Sequence, residues 1–477
     1  MTAPAASIAD HLDWLFGRLN YERLSPGNYS LGDFKLDRMR ELLDALGNPQ
    51  NGRPCVHVAG SKGKGSVVHL VDAAVRGCGY RVGRFTSPHI ERFHERIAID
   101  GEPIADDALA AAFDRVRPVV EHLDAGDGPK LTFFEIGTAL GWVAFEQAAC
   151  ELVVLEVGLG GRLDSTNVCD PLVTAIVSIS HDHGQLLGDG LDEIAAEKAG
   201  IIKPGVPVVT GPLPPEAAEV VTAIADEHDA PLWSVGRAIG VRRERTGSDA
   251  PEHGGPVTIF TPDEDITVPV VLPGTHQRDN LVVAVGVLMK LRKWKYELPS
   301  SAIAAALATV SLPLRAEVVR QSPLIVLDVA HNGASVAALL ATVPALRGPN
   351  QDGRLFAIFG TSSDKHVDEM LAEMRGRFDR VFLTEYSTNP RALRLAELEA
   401  LASRLLDCPT TVTATPAASL AAAIACLTDP GDALLIFGSF FLASEMQSLL
   451  RTGRSADSSP LETFGEQTFG AAAGGNG

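Results

Sequence analysis

The sequence predicts an α/β protein, with a P-loop-containing, mostly parallel sheet domain followed by a smaller, Rossmann-like α/β domain. Three observations carry this. Apolar runs of strand length alternate with amphipathic helical stretches, the pattern of βαβ units. One apolar run, Val56-His57-Val58-Ala59, leads into the turn Gly60-Ser61-Lys62-Gly63-Lys64-Gly65-Ser66 and then into a helical stretch. The alternation lapses after residue 233 and starts afresh near Ser311. A length of 477 residues, 45% of them hydrophobic, allows each domain its own core.

The chain opens with an amphipathic helix over 7–20, its apolar side set by Ile8, Leu12, Leu15, Phe16 and Leu19. A Gly/Pro/Asn/Ser loop over 21–34 leads to a helix over 36–46, stopped by Gly47. The strand at 56–59 follows, and the helix after the glycine turn is expected to open at Ser66. Strands are expected at 81–85 and 96–99, separated by the turn Thr86-Ser87-Pro88-His89. Helices follow over 104–123 and 132–149, then a buried strand over 151–157 and a polar loop over 158–167. Strands over 173–179 and 206–210 flank a helix over 191–199. Between 233 and 272 helical signals vanish, and short pieces at 240–241, 257–260 and 266–272 predict an antiparallel extension. Helices resume over 274–292 and 298–310. In the second half, strands at 324–329, 355–359, 380–384 and 433–437 alternate with helices at 334–346, 366–376, 394–406 and 417–427. After about Arg454 the chain is Ser/Gly/Ala-rich without periodicity, as a disordered tail would be. The expected division is a first domain over 1–296, a hinge over 297–311, a second domain over 312–454 and a tail over 455–477.

A formal charge of −19 argues against a nucleic-acid partner, which would need a basic face. No run reaches membrane-spanning length, and the first ten residues lack the basic start and apolar core of a secretory leader. Six cysteines without CxxC spacing suit reduced thiols in a cytoplasmic protein.

The glycine turn carries the clearest chemistry. Glycines let backbone N–H groups close on an anion, and a helix N-terminus adds its positive dipole end. Lys64 can reach terminal phosphates and Ser66 can ligate Mg²⁺, although Gly65 separates the two, unlike the strict P-loop pattern. Glu156 ends an apolar strand, either surfacing there or serving as the acidic Mg²⁺ partner that α/β nucleotide enzymes place at strand ends. His183 closes a His-Asp-His run at another strand end, as a capping residue or a metal or phosphate ligand. Lys198, read from spacing alone, is a solvated lysine at a helix C-terminus. The run Asp328-Val329-Ala330-His331-Asn332 ends a strand of the second domain and fits either a ligand crevice or turn chemistry. Gly274–Asn280 is a polar helix start with the same two readings.

Together these motifs resemble the folylpolyglutamate synthases and dihydrofolate synthases of the Mur ligase superfamily. The resemblance spans nearly all of residues 8–450, and the run Glu156-Val157-Gly158-Leu159-Gly160-Gly161-Arg162-Leu163-Asp164 is its most specific part. It also rests on Thr132-Phe133-Phe134-Glu135, Glu197-Lys198-Ala199-Gly200-Ile201 and His276-Gln277 with Asn280. The resemblance implies an ATP-dependent amide ligase: ATP phosphorylates a carboxylate of a pterin substrate, and the amine of L-glutamate displaces the phosphate. It implies that Ser66 and Glu156 hold one Mg²⁺, and that Glu156, His183 and a carbamylated Lys198 hold a second. A monovalent cation is a further implied ligand. Asn280 falls on the adenine contact, Arg315 and Asp328 on contacts from the second domain, with His331 beside them. Thr86, Ser87, Thr132, Phe133, Phe134, Glu135, Asp164 and Ser165 fall on the folate or dihydropteroate site. Domain closure would then protect the acyl phosphate from water.

The sequence departs from the family pattern at several places. Lys62 stands where Asn is more usual, Gly184-Gln185 follow His183, and Gly333-Ala334 replace Pro-His. Arg315 sits in Leu312-Pro313-Leu314-Arg315 instead of a Pro-Gly-Arg turn, and the early loop is altered around Gly32 to Lys35. Competing expectations are a UDP-muramyl peptide ligase and a P-loop protein without ligase activity. The expected partners are small molecules alone, and the expected state is a monomer.

Overall fold

The computed structural model describes residues 7–22, 35–126, 128–181, 188, 190–242, 256–269, 274–348 and 352–452. It divides into two compact units, Met1–Leu312 and Pro313–Gly477.

The first unit is built on an eight-stranded sheet in the order β4-β3-β2-β5-β1-β6-β7-β8. Its strands are β1 (Cys55–Ala59), β2 (Val82–Phe85), β3 (Ile97–Ile99), β4 (Glu102–Pro103), β5 (Leu152–Glu156), β6 (Val173–Ile176), β7 (Val208–Thr210) and β8 (Leu232–Ser234). From β2 to β8 all neighbours are parallel, while β3 and β4 run antiparallel at one edge. The helices are α1 (Ile8–Phe16), α2 (Leu36–Ala45), α3 (Lys64–Gly77), α4 (Asp106–Asp124), α5 (Phe133–Gln147), α6 (Leu191–Ala199), α7 (Pro215–Glu227), α8 (Thr275–Leu291) and α9 (Ser300–Leu307).

The two-residue period of central β1 sorts its side chains between two cores. Val56 and Val58 pack with Val67, Val71, Leu281 and Leu288 of α3 and α8. Cys55 packs with Leu42, Phe113 and Trp142 on the opposite face.

Several boundaries differ from expectation. Helix α3 begins at Lys64, two residues before Ser66, because Gly63 at φ 80° completes the turn and serves as its N-cap. The strand expected from Arg96 begins at Ile97, after a 3₁₀ turn over Phe93–Arg96. Helix α7 and strand β8 were not anticipated; Pro215 at the first helical position was the signal for the former. The β-rich stretch is split: β8 joins the large sheet, while β9 (Gly240–Val241), β10 (Val257–Phe260) and β11 (Asp265–Val268) form a separate antiparallel sheet. Residues 270–272 of the last expected piece lie outside the described residues. Helix α9, within the expected hinge, packs on α3, where a Cβ on Gly77 would meet Ala306 at 2.5 Å.

The second unit has a six-stranded sheet in the order β12-β13-β17-β14-β15-β16. Its strands are β12 (Glu317–Gln321), β13 (Leu324–Leu327), β14 (Leu355–Phe359), β15 (Arg380–Thr384), β16 (Thr410–Thr413) and β17 (Ala433–Phe437). All neighbours are parallel except β12, which runs antiparallel to β13. Helices α10 (Gly333–Arg347), α11 (Val367–Met374), α12 (Leu395–Leu405), α13 (Pro416–Cys426) and α14 (Phe440–Thr452) complete it. Leu324, Val326, Ala357, Phe359, Leu383 and Phe437 supply much of its core. The expected tail over 455–477 lies outside the described residues, as does most of the early loop. Among the described residues, no helix is long and apolar enough to cross a membrane.

Candidate active site

Four loops meet at the carboxyl edge of the large sheet because β2, β5, β1 and β6 are consecutive neighbours. They carry Thr86 and Ser87, Glu156, the glycine turn, and Ser178 to Ser180 respectively. The turn is laced to the segment after β6. Ser61 N–H donates to the Ser178 carbonyl at 2.8 Å, and Lys62 N–H donates to Ser178 Oγ at 2.9 Å. Ser61 Oγ donates to the Ser180 carbonyl at 3.1 Å. Those two amides are therefore used by the protein. The amides of Lys64, Gly65 and Ser66, in the first turn of α3, are the ones left facing an anion. Gly63 cannot carry a side chain, because a Cβ there would lie 2.4 Å from Asn280 Oδ1. Asn280 is thereby set against the turn, and its Nδ2 donates to Gln277 Oε1 at 3.0 Å.

The Ser66 hydroxyl is buried and has no hydrogen-bond partner among the described residues. The Glu156 carboxylate lies at the same helix end, 3.5 Å from where a Cβ on Gly65 would be, and accepts Ser87 N–H at 3.3 Å. Lys64 Nζ donates to the Gly60 carbonyl at 3.1 Å, so its charge stays over the turn. An unpartnered hydroxyl and a buried carboxylate at one helix end are oxygens of the kind that suit a hard divalent cation.

Lys198 is 4% exposed in the last turn of α6, which corrects the solvated-lysine reading. The helix end that carries it packs closely on the loop after β5: a Cβ on Gly161 would meet the carbonyls of Glu197 and Lys198 at 2.8 and 2.9 Å. Arg162 N–H donates to the Glu197 carbonyl, and its guanidinium pairs with the Glu197 carboxylate at 2.7 Å. His183 lies outside the described residues.

The four residues Thr132 to Glu135 divide by role. Thr132 and Glu135 cap α5 reciprocally, and Glu135 also pairs with Arg38 at 2.9 Å. Phe133 is core, stacked on Phe16 at 5.9 Å with the Arg96 guanidinium 5.0 Å from its ring. Only Phe134 is half-buried, its ring covering Gly158, where a Cβ would meet Cζ at 2.4 Å. Asp164 accepts Thr166 N–H, Thr166 Oγ–H and Leu159 N–H at 3.0, 2.5 and 2.9 Å. Burial pushes its carboxyl up from the ordinary range, against those donors. Ser165 opens the short 3₁₀ turn that follows, and Thr86 Oγ donates to the Glu95 carbonyl at 3.3 Å. A cavity of about 650 Å³ reaches Thr132 and is lined by Arg18, Tyr21, Arg38 and Lys130, but by no residue of the glycine turn.

In the second unit, Asp328 accepts Ala316 N–H and Ala330 N–H, each at 2.7 Å. Burial raises its carboxyl, opposed by those amides and Arg315. Arg315 is flanked by Leu314 and Ala316, both left-handed at φ 55° and 47°. His331 Nδ1 bonds the Val329 carbonyl at 2.8 Å. Sequence reasoning missed a further cluster at the carboxyl ends of β14 and β15. Ser362 Oγ and Tyr386 Oη are 2.5 Å apart, and Lys365 and Arg391 approach Asp364 at 3.7 and 3.8 Å. Arg391 Nε is buried without a partner among the described residues. The polar run Thr361 to Lys365 after an apolar strand was the available signal.

Comparison with known proteins follows this division. Residues 106–288 match the Mur ligase middle domain and residues 314–440 the Mur ligase glutamate ligase domain. The chain is 37% identical to the dihydrofolate synthase/folylpolyglutamate synthase of Bacillus subtilis, over 76% of this chain and 82% of that one. It is 36% identical to the folylpolyglutamate synthase of Lacticaseibacillus casei, over 88% and 95%. The solved structure of Mycobacterium tuberculosis folylpolyglutamate synthase complexed with ADP superposes with a TM-score of 0.81 at 30% identity, covering 94% and 98%. That of E. coli FolC in complex with DHPP and ADP gives 0.80 at 28% identity, covering 95% and 100%.

Proposed function

The chain belongs to the dihydrofolate synthase/folylpolyglutamate synthase family of Mur ligases, ATP-dependent ligases that join L-glutamate to folates, and we propose that it accepts dihydropteroate as well. The observation that carries the site assignment is the unpartnered Ser66 hydroxyl at the N-terminus of α3, the helix end where the Glu156 carboxylate also lies. ATP would lie with its phosphates on the free amides of that helix and on Lys64, and with its base toward Asn280.

The acceptor's carboxylate attacks the γ-phosphorus of ATP; ADP leaves and an acyl phosphate forms. The amino group of L-glutamate then attacks the acyl carbon, and phosphate departs as the amide forms. Lys64 and the α3 amides offset the repulsion between two anions and steady the charge of the transferring group. Ser66 and Glu156 would hold one Mg²⁺, while Glu156, His183 and Lys198 as its carbamate would hold a second. Bound there, the ions supply counter-charge to the phosphates. A monovalent cation remains an expected ligand without assigned residues. Arg315, Asp328 and His331 are assigned to the nucleotide by the family pattern. Phe134 and the Asp164–Ser165 loop are assigned to the pterin, with Thr86 and Ser87 nearby. Thr132, Phe133 and Glu135 then act indirectly, by fixing α5. Lys365 and Arg391 suit the carboxylates of the incoming glutamate, and Ser362 and Tyr386 add hydroxyls. We take the enzyme to be a cytoplasmic monomer.

Incubation with ATP, Mg²⁺ and L-glutamate, plus either dihydropteroate or a tetrahydrofolate, followed by product mass, tests the reading. The expected products are ADP and an acceptor heavier by one glutamyl residue in both cases. ATP hydrolysis indifferent to glutamate would overturn the reading.

A further inference from the structure

His57 is fully buried in the middle of β1, the strand that feeds the glycine turn, and nothing in the reaction described above uses it. By strand alternation it shares the face of Cys55, away from α3. Its Nε2 lies 2.8 Å from Thr166 Oγ. The Thr166 hydroxyl has a single proton, and that proton is directed at Asp164 Oδ1, 2.5 Å away. Thr166 must therefore accept from the ring, so Nε2 carries hydrogen. The chain of donors runs one way, from His57 to Thr166 to Asp164.

An ionised carboxylate has about four acceptor positions. Asp164 spends three within its own loop, two on Thr166 and one on Leu159 N–H. One position on Oδ2 is left for a donor from outside, and a pterin ring offers such N–H groups.

We propose that His57 is a positioning residue for the acceptor substrate: from β1 it fixes the Thr166 hydroxyl, and through it the direction of the Asp164 carboxylate. The inference rests on assigning the Asp164 loop to the pterin. It makes β1 serve both substrates, with the nucleotide turn at its end and the acceptor loop at its side.

The test measures acceptor KM, kcat and ADP affinity for His57→Leu, His57→Gln, Thr166→Val and the double variant His57→Leu/Thr166→Val. Loss of one buried hydrogen bond that orients a ligand group is expected to raise acceptor KM about tenfold in H57L. Its kcat and ADP affinity should stay near those of the parent. H57Q places an amide N–H where Nε2–H was and should restore KM. T166V should match H57L, and the double variant should be no worse than either, since all three cut one chain. Unchanged KM in H57L, equal losses in KM and ADP affinity, or additive effects in the double variant would each overturn the proposal. If H57L does not fold, H57Q and T166V decide by the same criteria. A parent enzyme that turns over no pterin acceptor would refute the assigned reaction instead.

Discussion

A hydroxyl sealed from water without a partner costs about 1–3 kcal/mol, so the buried Ser66 oxygen adds nothing to the fold, in keeping with the ligand role proposed for it. Ser66→Ala should accordingly leave thermal stability unchanged or slightly raised while weakening Mg²⁺-dependent nucleotide binding, measurable by calorimetry with and without the metal. On the proposed roles, Lys64→Ala takes away a positive charge facing the phosphates and Glu156→Ala a Mg²⁺ ligand, and each should cut glutamate-dependent ADP formation by roughly 10²–10³-fold with the fold intact. Circular dichroism and a coupled ADP assay check both halves of that statement. Lys198 is testable by mass: an unmodified amine in fully active enzyme removes the carbamate. Most of these residues could be proposed from the sequence because phosphate chemistry demands particular types after particular strands. Lys198 was legible only through the family resemblance, since its spacing matched any helix-end lysine and nothing local announces that its side chain is buried.

At the scale of elements, what could be read followed burial. Strands β1, β5, β13, β14 and β17 are apolar runs covered on both faces, and their sequences announce them. The edge strands β12, with sequence EVVRQ, and β16, with TTVT, escaped notice because their exposed sides need no apolar residue. Helix α7 was lost behind the Pro214-Pro215 pair, which reads as a turn when its role at a helix start is overlooked. The loop after β5 illustrates the other limit: its glycines are explained by neighbours distant in sequence. Gly158→Ala would drive a methyl into the Phe134 ring, and the expected cost is about 1–3 kcal/mol. Denaturant melts, together with a raised acceptor KM, would register it.

For the molecule as a whole, separate cores in the two units predict two calorimetric transitions. Saturating ADP should raise the one belonging to Met1–Leu312, by about 2.7 kcal/mol at a hundredfold excess over Kd. The other transition should respond to acid through Asp432. Burial, the largest single influence, pushes that carboxyl up, but donors from Arg354, Asp429 and Thr428 outweigh it and hold it below the ordinary range. Its stabilisation is complete above the unfolded value of about 3.9 and is lost as pH falls through the lower folded value. Asp432→Asn should lower this transition alone at pH 7 and flatten its acid dependence, as read by calorimetry across pH.

Asn280 Oδ1 and Val177 Cγ1 together fill the space that a side chain at residue 63 would need, 2.4 and 2.8 Å from its Cβ, so the mutability of the glycine turn is governed from helix α8 and from the segment after β6. Gly63→Ala should lower the melting temperature by itself, and Asn280→Ala introduced beside it should recover part of that loss in thermal denaturation. What the second change cannot relieve are the Val177 contact and the left-handed backbone, the latter worth about 1 kcal/mol for alanine. Any lineage that acquires a side chain at residue 63 is therefore expected to have shrunk the residues at 177 and 280 first.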